Sequence, residues 1–411
     1  MAASRMRQTG PDEKPYEPRH SRAEEARGYA ERRVKKESRR RRHMAAFIIA
    51  AVAVALCVVA AGHGLMKNEG KQPEEQNTTA AEGQMTDKTE DTSEDSTGLP
   101  NDGRIVMTLA GSADTYVKRG ESYIEGGCYA HDATDGQITD KVTASGTVDA
   151  QTAGDYTITY TVSDSAGYVA TATRTVHVVD EVDGGWDADG IAVFMYHDVY
   201  DPANPPEGAT TNQNMISTTS LDEQLKWLND HSYYYPSWAE LAAYIEGKHS
   251  LPDRSCVLTF DDGTQGFLNL AIPELEKHKI PATSFLICSD ADVQDKLSQH
   301  ASPYVVFQSH SYDMHRAGYT QKGHGGRIFD MSEADIVADL NQSADILKTK
   351  DAFAYPFGDV SDVAPQAVKD AGFSLAFTTQ YGLVQPGDDP MQLKRMRIFG
   401  TYGLDSFTGV I

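Results

Sequence analysis

Four patterns of apolar and polar positions succeed one another along the chain. From Met44 to Met66 the sequence is apolar and contains no Asp, Glu, Lys or Arg. That run is long enough to cross a bilayer as a helix. Residues 67–103 hold no aromatic residue, no Ile and no Val, too little apolar surface to offset chain entropy, which predicts a disordered linker. Residues 104–180 alternate β-branched and polar positions with period two, as in "DYTITYTVSD" and "YVATATRTVHVVD", with a turn between at Asp164 to Gly167. With "RIVMTLAG" and "DKVTASGTVD", these short strands predict a small β-sandwich. From 190 to 411 short apolar runs ("IAVFMY", "CVLTF", "ATSFLIC", "YVVFQS", "AFAYPFG", "FSLAFTT", "RMRIFG") alternate with helical patterns ("LDEQLKWLND", "WAELAAYIEG", "SEADIVADLNQSADILKTK"). That alternation predicts a parallel α/β domain, open or barrel-like.

Charge changes how the first two segments read. Residues 1–43 carry 14 Lys/Arg against 7 Asp/Glu, a balance of +7, so the other 368 residues account for −30 of the overall −23. A surface that acidic repels nucleic acid, which excludes it as a partner. Arg39 to Arg42 directly precede the apolar run. The positive-inside rule then makes residues 1–43 a basic cytoplasmic tail and 44–66 a transmembrane helix, and puts everything C-terminal outside the cell. The n-region is too long, and a clear cleavage site too absent, for a signal peptide.

Cys57 lies in the anchor, leaving Cys128, Cys256 and Cys288. The last two fall at opposite ends of neighbouring parallel strands, about 16 Å apart at 3.3 Å per residue. No structural disulfide is expected. Asp132, Asp135 and Asp140 read either as calcium ligands or, far more commonly, as turn residues.

In parallel α/β domains the reactive groups sit just past the C-terminal ends of the strands. Here "VFMY" is followed by His197, "VLTF" by Asp261 and Asp262, and "VVFQS" by His310, while "FAYPFG" ends in a Pro-Phe-Gly turn. His310 and His315 are five apart, which on one helix would leave them about 140° apart. They can share a ligand only on a loop. One carboxylate and two imidazoles make a three-ligand site with an open fourth position, as hydrolytic zinc centres need. The neighbouring carboxylate is then free to act as a base.

"LTFDDG", "SHSYDMH" and "AYPFG" resemble, in order, the first three motifs of the polysaccharide deacetylases, the NodB-homology family (carbohydrate esterase family 4). The resemblance spans about 190–400, within a deacetylase domain taken as 190–411. It implies a distorted (β/α) barrel of about seven strands and a divalent metal, most often zinc. By motif matching, Asp262, His310 and His315 are the metal ligands, Asp261 is the general base, and the Phe357 N–H helps bind the oxyanion. The five-residue histidine spacing is similar to the branch acting on poly-N-acetylglucosamine. Segment 104–180 in turn resembles bacterial immunoglobulin-like modules.

This chain departs from the family in three places. Ala354 stands where motif three usually has an arginine that pairs with the base; Arg395 and Arg397 are candidates to replace it. No tryptophan-bearing fourth motif is evident near "GFSLAFTTQYG". No Leu-x-His lies near the C-terminus to supply the acid, but "FMYHDV" resembles the N-terminal segment of permuted members, which assigns the general acid to His197. Two further groups stay open: Tyr233, Tyr234 and Tyr235 as a sugar groove or as packing, and His324 in "KGHGGR" as a surface residue or a substrate contact. The expected function is metal-dependent hydrolysis of N-acetyl groups on an extracellular amino-sugar polymer, poly-N-acetylglucosamine or a peptidoglycan glycan. The competing reading is a non-catalytic wall-glycan-binding protein on a degenerate deacetylase fold, favoured by the missing arginine and tryptophan.

Overall fold

The computed structural model describes residues 98–186 and 188–410. The basic tail, the 44–66 anchor and most of the 67–103 linker lie outside the described residues. None of the described helices is long and apolar enough to cross a membrane.

Residues 192–397 supply seven parallel strands that close into a barrel: Ala192–Tyr196, Cys256–Asp262, Ala282–Leu286, Val305–Ser309, Ala352–Ala354, Leu375–Tyr381 and Leu393–Arg397. The first five-residue strand, AVFMY, is buried throughout, as are ATSFL and VVFQS. Strands covered on both faces read as unbroken apolar runs, which is why their sequences do not alternate. The ring closes where Met396 pairs with Phe194 and Arg397 with Met195. Its weakest seam lies between Val305–Ser309 and Ala352–Ala354, joined through a single pair, Ser309 and Phe353.

The helices have readable start signals. Ser217 caps Thr218–Asp230 by accepting from the Ser220 N–H. Ser237 with Glu240, and Ser332 with Asp335, form reciprocal capping boxes on Trp238–Ile245 and Glu333–Leu347. Each box satisfies two N–H groups that a helix start otherwise leaves orphaned.

The immunoglobulin-like module is a sandwich of two sheets. One contains Gly154–Ser163 and Tyr168–Val179, paired antiparallel, with Thr143–Ser145, Asp114–Lys118 and Leu99–Pro100 beside them. The other contains Ile105–Leu109, Cys128–Asp132 and Gly136–Gln137. Two of the three aspartates hold turns: Asp132 Oδ1 accepts from the Thr134 and Asp135 N–H groups at 2.8 and 2.7 Å, and Asp135 accepts from Ser165, while Asp140 lies in the short 3-10 helix Thr139–Lys141. Cys128, Cys256 and Cys288 are free and buried, as expected.

One arrangement was not legible in the sequence. The module rests on the N-terminal ends of the barrel strands, opposite the end that carries the chemistry. The Ser112 N–H donates to the Tyr235 carbonyl at 2.8 Å and the Tyr235 N–H to Ser112 Oγ at 3.1 Å. Thr108 bonds the Ser302 carbonyl at 2.6 Å, and Glu121 accepts from the Ser250 N–H and hydroxyl at 2.7 and 2.6 Å. The Tyr129 hydroxyl bonds Asp351 and accepts from Gln308 Nε2 at 3.0 Å. Arg174 breaks the apolar alternation of its strand for this reason. Almost fully buried, its guanidinium ties the carbonyls of Ala110, Ser112 and Gly127 into the docking edge. Gly111 permits the contact: with φ at +72°, a Cβ there would come within 2.6 Å of the Ser237 N.

Candidate active site

Strand Cys256–Asp262 ends on the two aspartates, and the pleat sends them apart. Asp261 is buried and Asp262 half-exposed. Arg395, on the last barrel strand, grips Asp261 through two parallel bonds of 2.7 Å, one to each oxygen. Its own orientation is fixed by Nε on the Thr378 carbonyl at 3.0 Å and by Thr259 Oγ1 at 3.3 Å. Burial alone would push the Asp261 carboxyl up; the Arg395 charge and bonds outweigh it and hold the group below the usual carboxylate range. Arg395 thus occupies in space the role that Ala354 leaves empty in sequence. Arg397 bonds Asn214 instead. Ala354 is used differently, since its carbonyl accepts from His310 Nδ1 at 2.7 Å.

That bond sets the His310 tautomer, because a carbonyl can only accept. It leaves Nε2 turned toward Asp262 Oδ1, 3.3 Å away, with His315 Nε2 3.4 Å from the same oxygen. The three ligand atoms lie within 4.8 Å of one another. Two imidazole nitrogens converging on one carboxylate, one of them backed by a carbonyl on its far nitrogen, is the donor set a divalent cation fits. Burial opposes ionisation of Asp262, but the hydrogen bond and charge of His310 override it and hold its pKa far down.

The five-residue histidine spacing has a local cause. Ser311 sits at φ +74° and turns the chain sharply after the strand. Asp339, reaching from helix Glu333–Leu347, then accepts from the Tyr312 and Asp313 N–H groups at 2.8 Å each. Ser311 Oγ accepts from the Met314 N–H at 3.0 Å, and Met314 is buried. The loop is therefore clamped from one side and plugged by its own methionine, and His315 returns to face His310. Sequence reading missed Asp339, and no local pattern marks it.

Three non-glycine residues with positive φ cluster here: Asp262, Ser311 and Phe357 at +74°, +74° and +60°. Such backbones cost of order 1–3 kcal/mol and persist where the surroundings impose them. Phe357, in the Pro-Phe-Gly turn, packs its ring on His315 with centroids 4.3 Å apart and stays 36% exposed. His197 follows strand Ala192–Tyr196, and its Nδ1 is buried without a hydrogen-bond partner. Burial lowers its pKa, and the nearby Asp261 and Asp262 charges pull the other way. All six residues expected from sequence lie at the C-terminal ends of the strands. The three tyrosines do not. Tyr234 and Tyr235 are buried at the opposite end, against the module, and Tyr233 packs on Trp227; they are packing residues.

Residues 248–376 match the family model for Polysaccharide deacetylase. The chain carries a polysaccharide deacetylase domain. Residues 107–178 match the model for Bacterial surface protein, Ig-like domain. A poly-beta-1,6-N-acetyl-D-glucosamine N-deacetylase of Staphylococcus aureus is 29% identical over 199 residues, 44% of this chain and 67% of that protein. One from Staphylococcus epidermidis is also 29% identical over 199 residues, covering 44% and 68%. Among solved structures, the deacetylase PplD of Streptococcus pyogenes in complex with acetate is similar at 23% identity and TM-score 0.46, over 55% of this chain and 99% of that one. IcaB from Ammonifex degensii is similar at 25% identity and TM-score 0.45, over 55% and 96%. The family match in this chain ends at residue 376, whereas the deacetylase barrel draws His197 from before it and Arg395 from after it.

Proposed function

We propose that the deacetylase domain hydrolyses N-acetyl groups of an extracellular poly-N-acetylglucosamine-like polymer and depends on a divalent cation, zinc in the first instance. The observation that carries this reading is the pairing of an open three-donor cluster, Asp262, His310 and His315, with an adjacent carboxylate, Asp261, held ionised by Arg395. The substrate class follows from the Staphylococcus relatives and from the histidine spacing.

A cation on those three residues would supply a Lewis acid, polarising the acetyl carbonyl and making water easier to deprotonate. Asp261 takes the proton as water attacks the carbonyl carbon. Arg395 keeps both carboxylate oxygens oriented while that proton arrives. The Phe357 N–H donates to the developing oxyanion; one such donor is typically worth about 2.7–4 kcal/mol. His197, as imidazolium, then protonates the departing amine, and acid help of this kind gives about 10²–10⁴-fold. The lowered pKa of His197 makes its imidazolium the stronger acid for that transfer. The products are acetate and a glucosamine unit.

We place this reaction outside the cell, tethered by residues 44–66, on the support of the arginines that precede the apolar run. The non-catalytic alternative loses one of its supports, since Arg395 pairs with Asp261 as the arginine absent from motif three would.

The test is acetate release from a β-1,6-linked N-acetylglucosamine pentamer by the full chain, measured after chelation and again with Zn²⁺ restored. Release that needs the ion and disappears in Asp261→Asn is expected. Activity unchanged in Asp261→Asn or in His310→Ala would sink the assignment.

A further inference from the structure

One residue singled out in the sequence has no part in this mechanism: His324. Directly after His315 the chain makes an excursion, residues 316–327, closed at its base by the Arg327 N–H on the Arg316 carbonyl at 2.9 Å and further out by the Gly318 N–H on the Gly325 carbonyl at 2.7 Å. The far side of this hairpin is fastened to the turn that carries Phe357. The fastener is Asp359, almost fully buried, two residues past Phe357. Its Oδ1 accepts from the His324 N–H at 2.8 Å and from His324 Nδ1 at 3.0 Å; its Oδ2 accepts from the Gly326 N–H at 2.8 Å. The fit is close. A Cβ on Gly326 would lie 3.0 Å from Phe357 Cδ2, and one on Gly323 only 2.2 Å from Asp359 Oδ1.

The hairpin needs only the backbone donors to satisfy Asp359. The imidazole adds a third bond and yet its side chain stays 67% exposed. Holding an exposed ring still costs rotamer entropy and gains little packing. What it yields is a fixed polar atom. A carboxylate only accepts, so Nδ1 is the donor, and Nε2 is left as a preset acceptor in the neutral ring. The hairpin that carries the ring abuts Phe357 at Gly326, and Phe357 in turn packs on His315.

We propose that His324, oriented by Asp359, is a subsite contact for the sugar unit adjoining the one being deacetylated, its Nε2 accepting a hydrogen bond from a sugar hydroxyl. This rests on the proposed deacetylase activity and specifies how a polymer, as opposed to a single acetylated group, is held. His324 is a binding residue in this scheme and takes no part in proton transfer.

Two substitutions separate the outward atom from the fastening. Asn at 324 offers its amide N–H where Nδ1 stands, so it keeps the Asp359 bond but removes the outward acceptor. Gln at 324 reaches to where Nε2 stands. The measurement is steady-state kinetics of the full chain with Zn²⁺ on two substrates, the N-acetylglucosamine pentamer and p-nitrophenyl acetate, which fills only the reacting site. The expected result is a rise of about fivefold in pentamer KM for His324→Asn, the scale of one net hydrogen bond. Its kcat should stay within twofold and its aryl acetate kinetics should not change, and His324→Gln should recover most of the loss. An unchanged pentamer KM in His324→Asn, or an equal loss on both substrates, overturns the proposal. Should the wild type release no acetate from the pentamer, the proposed activity fails instead. The subsite is then judged by calorimetric binding of the pentamer alone, where weaker binding by His324→Asn supports it and equal binding overturns it.

Discussion

Arg395 meets Asp261 edge-on, one guanidinium end on each carboxylate oxygen at 2.7 Å, across 134 residues of sequence and with both side chains buried. Removing one partner of such a buried pair leaves a charge without compensation, which typically costs about 3–5 kcal/mol. Arg395→Met should therefore lower the melting temperature by several degrees and reduce acetate turnover at least about 100-fold, the scale of lost general-base help. Bound metal should stay near one per chain, because Arg395 touches none of the three ligands. Arg395→Lys keeps the charge but not the fork, and should fall between. Turnover within threefold of wild type in Arg395→Met would show that Asp261 is not the base.

Asp339 clamps the loop between the two histidines without touching either. Groups of this kind typically change metal affinity about 10–100-fold. Asp339→Ala should weaken Zn²⁺ binding by that factor, read by competition with a chromophoric chelator, and leave far-ultraviolet circular dichroism unchanged. Equal affinity would mean that Ser311 and Met314 suffice to shape the loop.

Gly111 lets the immunoglobulin-like module approach the barrel. Gly111→Val would drive a side chain into the Ser237 N and the Tyr235 carbonyl, 2.6 and 2.7 Å from the first added atom. Overpacking of this sort costs about 1–3 kcal/mol. The control is Gly120→Val, at φ +94° but with open space around it, which carries backbone strain without the clash. Limited proteolysis between residues 180 and 190 should accelerate in the first variant and much less in the second.

His249 lies at the same junction, buried, 3.9 Å from both Glu121 and Glu240 and without a hydrogen bond to either ring nitrogen. Burial lowers its pKa, and the two glutamates only partly oppose this. The unfolded chain, with an imidazole near about 6.5, takes up the proton first as pH falls. Its contribution to stability is therefore complete above about pH 6.5 and declines as pH drops below that value. Melting temperatures taken at pH 7.5 and 5.5 should fall less in His249→Asn than in wild type. An equal fall would show that this ring is not the sensitive group.

The strand ends were readable because parallel strands announce themselves as apolar runs and their chemistry must follow them. His197, the two aspartates, His310 and the Pro-Phe-Gly turn could all be placed on one rim for that reason. What the sequence left open depended on contacts between distant segments. Arg395 and Arg397 share one face of the last strand, so choosing between them required knowing which lies level with Asp261; Arg397, two residues nearer the strand end, bonds Asn214 instead. Asp339 sits on a helix face like many other aspartates, and only the fold aims it at the loop. Tyr233 to Tyr235 read equally as a sugar groove or as packing; the fold decides it, with the module over Tyr234 and Tyr235 and Tyr233 packed on Trp227. The docking itself hangs on single positions such as Ser112, Glu121 and Tyr129, which leave no periodic trace.

Ring closure between Ala192–Tyr196 and Leu393–Arg397 also orders events in time. A ribosome delivers Asp261 long before it delivers Arg395. Until the last strand arrives the barrel has an unpaired edge on either side, and the aspartate has no cation to justify its burial. A chain released early, even at the end of the family match, would contain every proposed metal ligand and still lack both the seal and the guanidinium. Such non-local pairings are slow to form and leave edges open to aggregation. The proposed chemistry of this barrel can therefore assemble only after the strand Leu393–Arg397 has been made.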